Sequence, residues 1–252
     1  MIGAIIGDIV GSRFEFNNTD NFNFTLFTKD CAFTDDTICT IAVADAAMNG
    51  RSYGDTLHSW CRRYPNPKGS YGCSFAKWIA SAHPLPYNSF GNGSAMRVSA
   101  IGWLFDTLEQ VREEARKSAI PTHNHPEGIK GAVSTAAAIF LSRTGGKEAM
   151  LEAMQHYYSQ WVDPRLGENK FDETCQGTMP IVLGIINKAT NFEEAIRYAI
   201  AVGGDSDTIG AIVGSIAEAI WGVPKHIFVE SIGYLPSDMM AIIDQFYNKT
   251  KK

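Results

Sequence analysis

The chain has 252 residues and a formal net charge of -5, with 45% hydrophobic and 19% charged residues. That balance suits a soluble globular protein with a sizeable core, and nothing in it calls for a second domain, so residues 1–252 read as one domain. There is no basic stripe to hold nucleic acid nonspecifically and no apolar run long enough to span a bilayer, which argues against both classes of partner.

The five cysteines, Cys31, Cys39, Cys61, Cys73 and Cys175, are odd in number and lack CxxC spacing. This speaks against a disulfide framework or a zinc knuckle and fits a reducing cytoplasm. The opening run Met1 to Asp8 has no basic region and is interrupted by an acid, unlike a secretion signal. A cytoplasmic monomer is the expectation.

In chain order, residues 2–12 read as a small-residue helix in which Gly3, Gly7 and Gly11 leave one face smooth. Each interior glycine costs a helix about 1 kcal/mol relative to alanine, so three of them imply close contact with another helix. Asn17 to Lys29 form a polar, aromatic loop whose composition suits a mobile flap. Residues 35–48 follow helical spacing and stop at Asn49-Gly50. Further helices are expected over 53–62, 74–82, 94–104, 106–118, 127–143, 147–158, 178–189, 192–201, 207–221 and 237–248, with loops at Tyr64–Tyr71 and His83–Pro86. With no hairpin, repeat or low-complexity segment, the fold class is all-α.

Two stretches carry most of the chemistry. Gly203-Gly-Asp205-Ser-Asp207-Thr208 places two carboxylates and a hydroxyl where a glycine turn meets a helix start, and Thr34-Asp35-Asp36-Thr37 repeats that chemistry ahead of another helix. Either alone reads as helix capping. Together they gather Asp35, Asp36, Asp205 and Asp207 with Thr34 and Thr208, the oxygen-rich set that a binuclear magnesium site needs.

Tyr87 to Arg97 sets glycines and small polar residues before a helix, where backbone N–H groups can hold a diphosphate, or where Ser94 simply caps. Phe90 reads as a stacking surface or as a loop anchor. His123 and His125 have no third ligand at zinc spacing; one suits donation to a sugar or phosphate, or Asn124 or His125 caps the helix at Glu127. His58, His156 and His226 receive no role.

Five stretches in this order resemble the ADP-ribosylglycohydrolase family: Gly3 to Ser12 with Glu15, Thr34 to Thr37, Gly91 to Arg97, Thr122 to Pro126, and Gly203 to Gly210. The resemblance implies an all-α fold with two Mg2+ ions, for which Mn2+ could substitute, below an ADP-ribose cleft. It implies Thr34, Asp35, Asp36 and Asp207 as ligands of one ion and Asp205, Asp207 and Thr208 as ligands of the other. Glu15 corresponds to a glutamate on a mobile flap, Ser89, Phe90, Gly91, Asn92 and Gly93 to the diphosphate and adenosine contacts, and His123 to a further ADP-ribose contact. Asp35 or Asp36 would orient or deprotonate the attacking water.

The implied activity is magnesium-dependent removal of ADP-ribose from a protein side chain, arginine before serine or an O-acetyl linkage. The ligand would be an ADP-ribosylated protein or an ADP-ribose-containing small molecule. A silent ADP-ribose-binding protein and a magnesium-dependent nucleotide phosphohydrolase are the alternatives. Residues 141–180 match none of the motifs, which leaves the rim facing the leaving group undefined; Asp55 is one candidate acid for it.

Overall fold

The computed structural model describes residues 1–250. The expected all-α architecture is what these residues adopt: helices joined by loops, the longest of them 12–34 and 155–174, with two isolated bridges, Thr34 to Lys68 and Gly91 to Thr174, and no sheet among the described residues.

The centre is α11 (Ser206–Trp221), whose residues from Ser206 to Glu218 are all buried. Its closest neighbour is α1 (Ile2–Gly11), buried along its whole length. Gly3 faces Gly214, Gly7 faces Gly210 and Gly11 faces Asp207, so the two helices run antiparallel with their backbones in contact. A Cβ on Gly11 would lie 2.5 Å from the Asp207 Cα, and one on Gly210 would lie 2.6 Å from the Gly7 carbonyl oxygen. The smooth face expected from the glycine spacing is therefore used. Glu218, late in α11, accepts from the Gly3 N–H at 2.8 Å and from the Tyr247 hydroxyl at 2.6 Å, which ties α1 and α11 to the last helix, α13 (Ser237–Thr250).

The second acid stretch opens α2 (Asp35–Asn49), capped by Thr34 and ended by Gly50 in the left-handed region. Around this nucleus lie α3 (Tyr53–Arg63), α4 (Cys73–Ala80), α7 (Leu108–Ala119), α9 (Cys175–Lys188) and α10 (Phe192–Ala201).

Three expected boundaries shift. The helix expected over 94–104 is two single turns, α5 (Gly93–Met96) and α6 (Ile101–Leu104). Arg97 between them is buried and donates to the Ser118 carbonyl and the Thr122 hydroxyl, so tertiary contacts override the periodicity. The helices expected over 127–143 and 147–158 join as α8 (Pro126–Met154), kinked at Gly146, where φ is 82°. A short helix, α12 (Lys225–Ser231), was not expected; it buries only Ile227 and Ser231 and so carries little periodic signal.

Candidate active site

The site begins with a residue on α1. Asp8 is fully buried, and its carboxylate accepts from the Thr34 N–H at 3.0 Å, the Thr34 hydroxyl at 2.7 Å, the Thr37 N–H at 3.1 Å and the Thr37 hydroxyl. Those bonds fix the entry to α2. Thr34 then accepts from the Asp36 N–H at 3.2 Å, so the cap residue is held from both sides. Burial pushes the Asp8 carboxyl up to about 6, against the pull of its threonine donors.

The two acid stretches meet across the α1–α11 contact. Thr208 donates to an Asp36 carboxylate oxygen at 3.3 Å. Asp205 stands at the start of α11 without a side-chain capping bond, and its carboxylate instead accepts from the Asn92 amide at 2.7 Å. Glu15 reaches the same place: ligand oxygens of Glu15, Asp205 and Asp207 lie within 4.8 Å of one another.

Such crowding has an electrostatic signature. Burial, then the charge of Asp8, holds both Asp35 and Asp36 well above the usual carboxylate range. Burial, then Asp205, does the same to Asp207, and burial raises Asp205. Glu15 is pushed up to about 7, by burial first and then by Asp205 and Asp8. One Asp36 oxygen and one Asp207 oxygen are buried with no hydrogen-bond partner. Buried acids that repel one another and lack donors are costly on their own, and a hard dication with oxygen ligands removes both costs. The donor set therefore fits a divalent ion.

Beside the acids lies the loop from Tyr87 to Asn92. Asn88 takes positive φ and donates its N–H to the Asn124 side chain at 2.7 Å; the Ser89 hydroxyl accepts from the Gly91 N–H at 3.1 Å. The Asn92 N–H is engaged by the Glu173 carbonyl at 2.6 Å. Ser94 does not cap: its hydroxyl donates to the Gly128 carbonyl at 2.7 Å. Phe90 stays partly exposed, with its ring 5.3 Å from that of His125.

His123 is buried against this loop, and a Cβ on Gly93 would lie 3.2 Å from its Nε2. Its Nδ1 pairs with the Thr122 hydroxyl at 2.7 Å, and that oxygen also accepts from buried Arg97 at 2.8 Å. Arg97 and His123 Nδ1 thus share the Thr122 hydroxyl, which leaves Nε2 facing the glycine side. Burial, then Arg97, holds the His123 pKa well below its ordinary value, so the ring is neutral near pH 7. His125 caps α8 by accepting from the Glu127 N–H at 3.1 Å.

The structure thus gathers Glu15, Thr34, Asp35, Asp36, Asp205, Asp207 and Thr208 at the ends of α2 and α11, and sets Ser89 to Gly93 with His123 alongside. Three participants carried no role in the sequence reading. Asp8 is a lone acid in an apolar helix, Thr178 shares the Asn92 amide at 3.0 Å, and the charge of Glu173 reaches both Glu15 and Asp205. Asp55 lies exposed in the first turn of α3, while Glu173 is an acid whose charge reaches the cluster. The loop expected to be a flap is pinned in its second half: Phe24 and Phe27 are buried, and Arg197 donates to the carbonyls of Phe22 and Phe24.

The family profile described as ADP-ribosylglycohydrolase matches residues 1–252. Over 327 aligned residues the chain is 24% identical to ADP-ribosylhydrolase ARH3 of Homo sapiens, covering 96% of this chain and 90% of the relative. It is also 24% identical to ADP-ribosylarginine hydrolase Tri1 of Pseudomonas putida, covering 88% of this chain and 70% of that one. A solved ADP-ribosylglycohydrolase-related protein complex superposes with a TM-score of 0.76 at 21% identity, covering 99% of this chain, a likeness of fold. The chain belongs to the ADP-ribosylglycohydrolase family, whose members are hydrolases of glycosyl bonds. No helix among the described residues is long and apolar enough to cross a membrane.

Proposed function

We propose that the protein is a magnesium-dependent hydrolase that removes ADP-ribose from a protein side chain, with arginine linkage ahead of serine, acting as a cytoplasmic monomer. The observation that carries this reading is the pair of donorless buried oxygens on Asp36 and Asp207 inside a cluster of mutually repelling acids. Two Mg2+ ions, or Mn2+ in their place, would be held by Thr34, Asp35, Asp36, Asp205, Asp207 and Thr208, with Glu15 as a further carboxylate when substrate is absent. Divalent ions so held supply Lewis acidity that orients ribose hydroxyls and acidifies water.

The chain's own residues do the rest. The loop Ser89, Phe90, Gly91, Asn92 and Gly93 receives the diphosphate and adenosine, while His123 presents Nε2. Asn92 fixes Asp205 through its amide. Asp35 keeps some solvent access whereas Asp36 is buried and engaged by Thr208, so Asp35 is the group assigned to take a proton from water at a carboxylate oxygen. The water oxygen bonds to ribose C1, the bond from C1 to the side chain breaks, and the departing side-chain atom recovers a proton from solvent.

The test is direct. With Mg2+, the wild-type protein should release ADP-ribose from an ADP-ribosylated peptide, chelation should stop it, and Asp36→Ala or Asp207→Ala should reduce release to background. Inactivity on arginine-, serine- and O-acetyl-linked ADP-ribose would overturn the reading, as would release of AMP or phosphate in place of ADP-ribose.

A further inference from the structure

Residues 163–174, which carry none of the motifs, build one wall of the site. Asn169 donates its side-chain amide to the Gly203 carbonyl at 3.0 Å and its backbone N–H to the Val202 carbonyl at 2.9 Å. From the opposite side Asn18 donates to the Gly204 carbonyl at 2.9 Å and accepts from the Gly204 N–H at 2.8 Å. Two amides from two loops therefore grip the glycine turn that leads directly into Asp205 and Asp207. Two residues before Asn18 stands Phe16, and two residues after Asn169 stands Phe171. Their rings stack at 6.1 Å between centroids and 28° between planes, yet Phe16 remains 75% exposed and Phe171 47% exposed. Each adjoins an acid of the site, Phe16 following Glu15 and Phe171 lying two residues before Glu173, whose carbonyl holds Asn92.

We propose that Phe16 and Phe171, with Glu173, determine the leaving group of the hydrolysis by receiving the planar cationic side chain of an ADP-ribosylated arginine. This rests on the hydrolase reading above. Large exposed aromatics gain nothing from burial in the free protein, but a weakly hydrated guanidinium stacks on such a ring and pairs with a carboxylate at its edge. Serine offers neither a plane nor a charge. Because Asn18 and Asn169 grip the same turn, both ring-bearing loops are tied to the segment that carries Asp205 and Asp207, which is the kind of anchoring a specificity surface requires. Phe16 and Phe171 are specificity residues; the proton transfer belongs to Asp35.

The experiment compares matched peptides carrying arginine-linked or serine-linked ADP-ribose, with Mg2+, for the wild type, Phe16→Ala/Phe171→Ala, Phe171→Tyr and Glu173→Gln. Binding of free ADP-ribose is measured by calorimetry for each. The double alanine variant should lose about tenfold in kcat/KM on the arginine peptide, the range that a cation–aromatic contact supplies. On the serine peptide it should change by less than about twofold, within assay scatter for a contact never made. Tyrosine should retain the arginine rate, Glu173→Gln should weaken it, and ADP-ribose affinity should stay unchanged in the Phe16 and Phe171 variants. Equal losses on both peptides, no loss on either, or a wild type faster on serine would each overturn the assignment. A wild type that binds ADP-ribose yet hydrolyses neither peptide would overturn the assignment, and if it were inactive on O-acetyl-ADP-ribose as well it would overturn the hydrolase reading itself.

Discussion

The seam between α1 and α11 and the rim made by residues 13–31 and 163–174 border the same acids but are built by opposite rules. In the seam, side chains are eliminated: glycines meet glycines, and a single Cβ at Gly11 would collide with the Asp207 backbone. At the rim, side chains are displayed, with Phe16 and Phe171 stacked in solvent. One surface sets where the carboxylates stand; the other meets what approaches them. A site whose acids are fixed by backbone contact can vary its outer loops without moving its chemistry.

The largest expected effect breaks the seam. Gly11→Ala should lower the unfolding free energy by about 1–3 kcal/mol through overpacking. Phe171→Ala, on an exposed ring, should stay within about 0.5 kcal/mol of the wild type. Urea unfolding of both variants measures the contrast, and equal losses would show that the two regions do not differ as described.

A second, smaller effect comes from the acids between them. Asp8 titrates at about 6 and Glu15 at about 7 in the folded chain, above the ordinary carboxylate values of the unfolded one. The folded state therefore holds more protons, and without divalent ions its stability should fall as pH rises from about 4.5 to about 7. Mg2+ added at pH 7.5 should restore stability, because an ion that binds only the folded chain adds to it. Thermal unfolding across that interval, with chelator and with Mg2+, tests this; a rise with pH that ignores Mg2+ would contradict it.

The smallest effect concerns motion at the rim. Backbone amides from Phe16 to Asn23 should exchange with solvent faster than those of Ile209 to Trp221, and ADP-ribose with Mg2+ should slow them. Residues 24–31, held by buried Phe24, Phe27 and Cys31, should be protected in both states. Uniform protection from 16 to 31 would assign the whole loop to the rigid region.

The contrast also explains what the sequence disclosed. The seam was legible because glycine at four-residue spacing has one economical meaning in a helix, and α11 begins where its acid stretch predicts. Asp8 was hidden because a single acid in an apolar run does not reveal the donors it meets; Thr34 and Thr37 belong to another helix. Ser94 looked like a cap, but its hydroxyl turns to Gly128 on a distant segment, a choice that local sequence does not encode. Glu173 and the aromatic pair were the hardest to find. Loop acids and loop phenylalanines are common, and only the two asparagine anchors tie these loops to the turn before Asp205.

The seam pairs residues 3–11 with residues 207–214, nearly the full length of the chain apart. On a ribosome that separation becomes a waiting time. Helix α1 emerges well before α11 with all ten residues destined for burial, and it finds its partner only after some two hundred further residues have been made. At about 5–20 residues per second, the interval is on the order of ten seconds or more. During that time an apolar helix without a partner is a substrate for chaperones, and the acids of α2 wait incomplete until α11 arrives. Catalytic competence therefore cannot precede the emergence of α11.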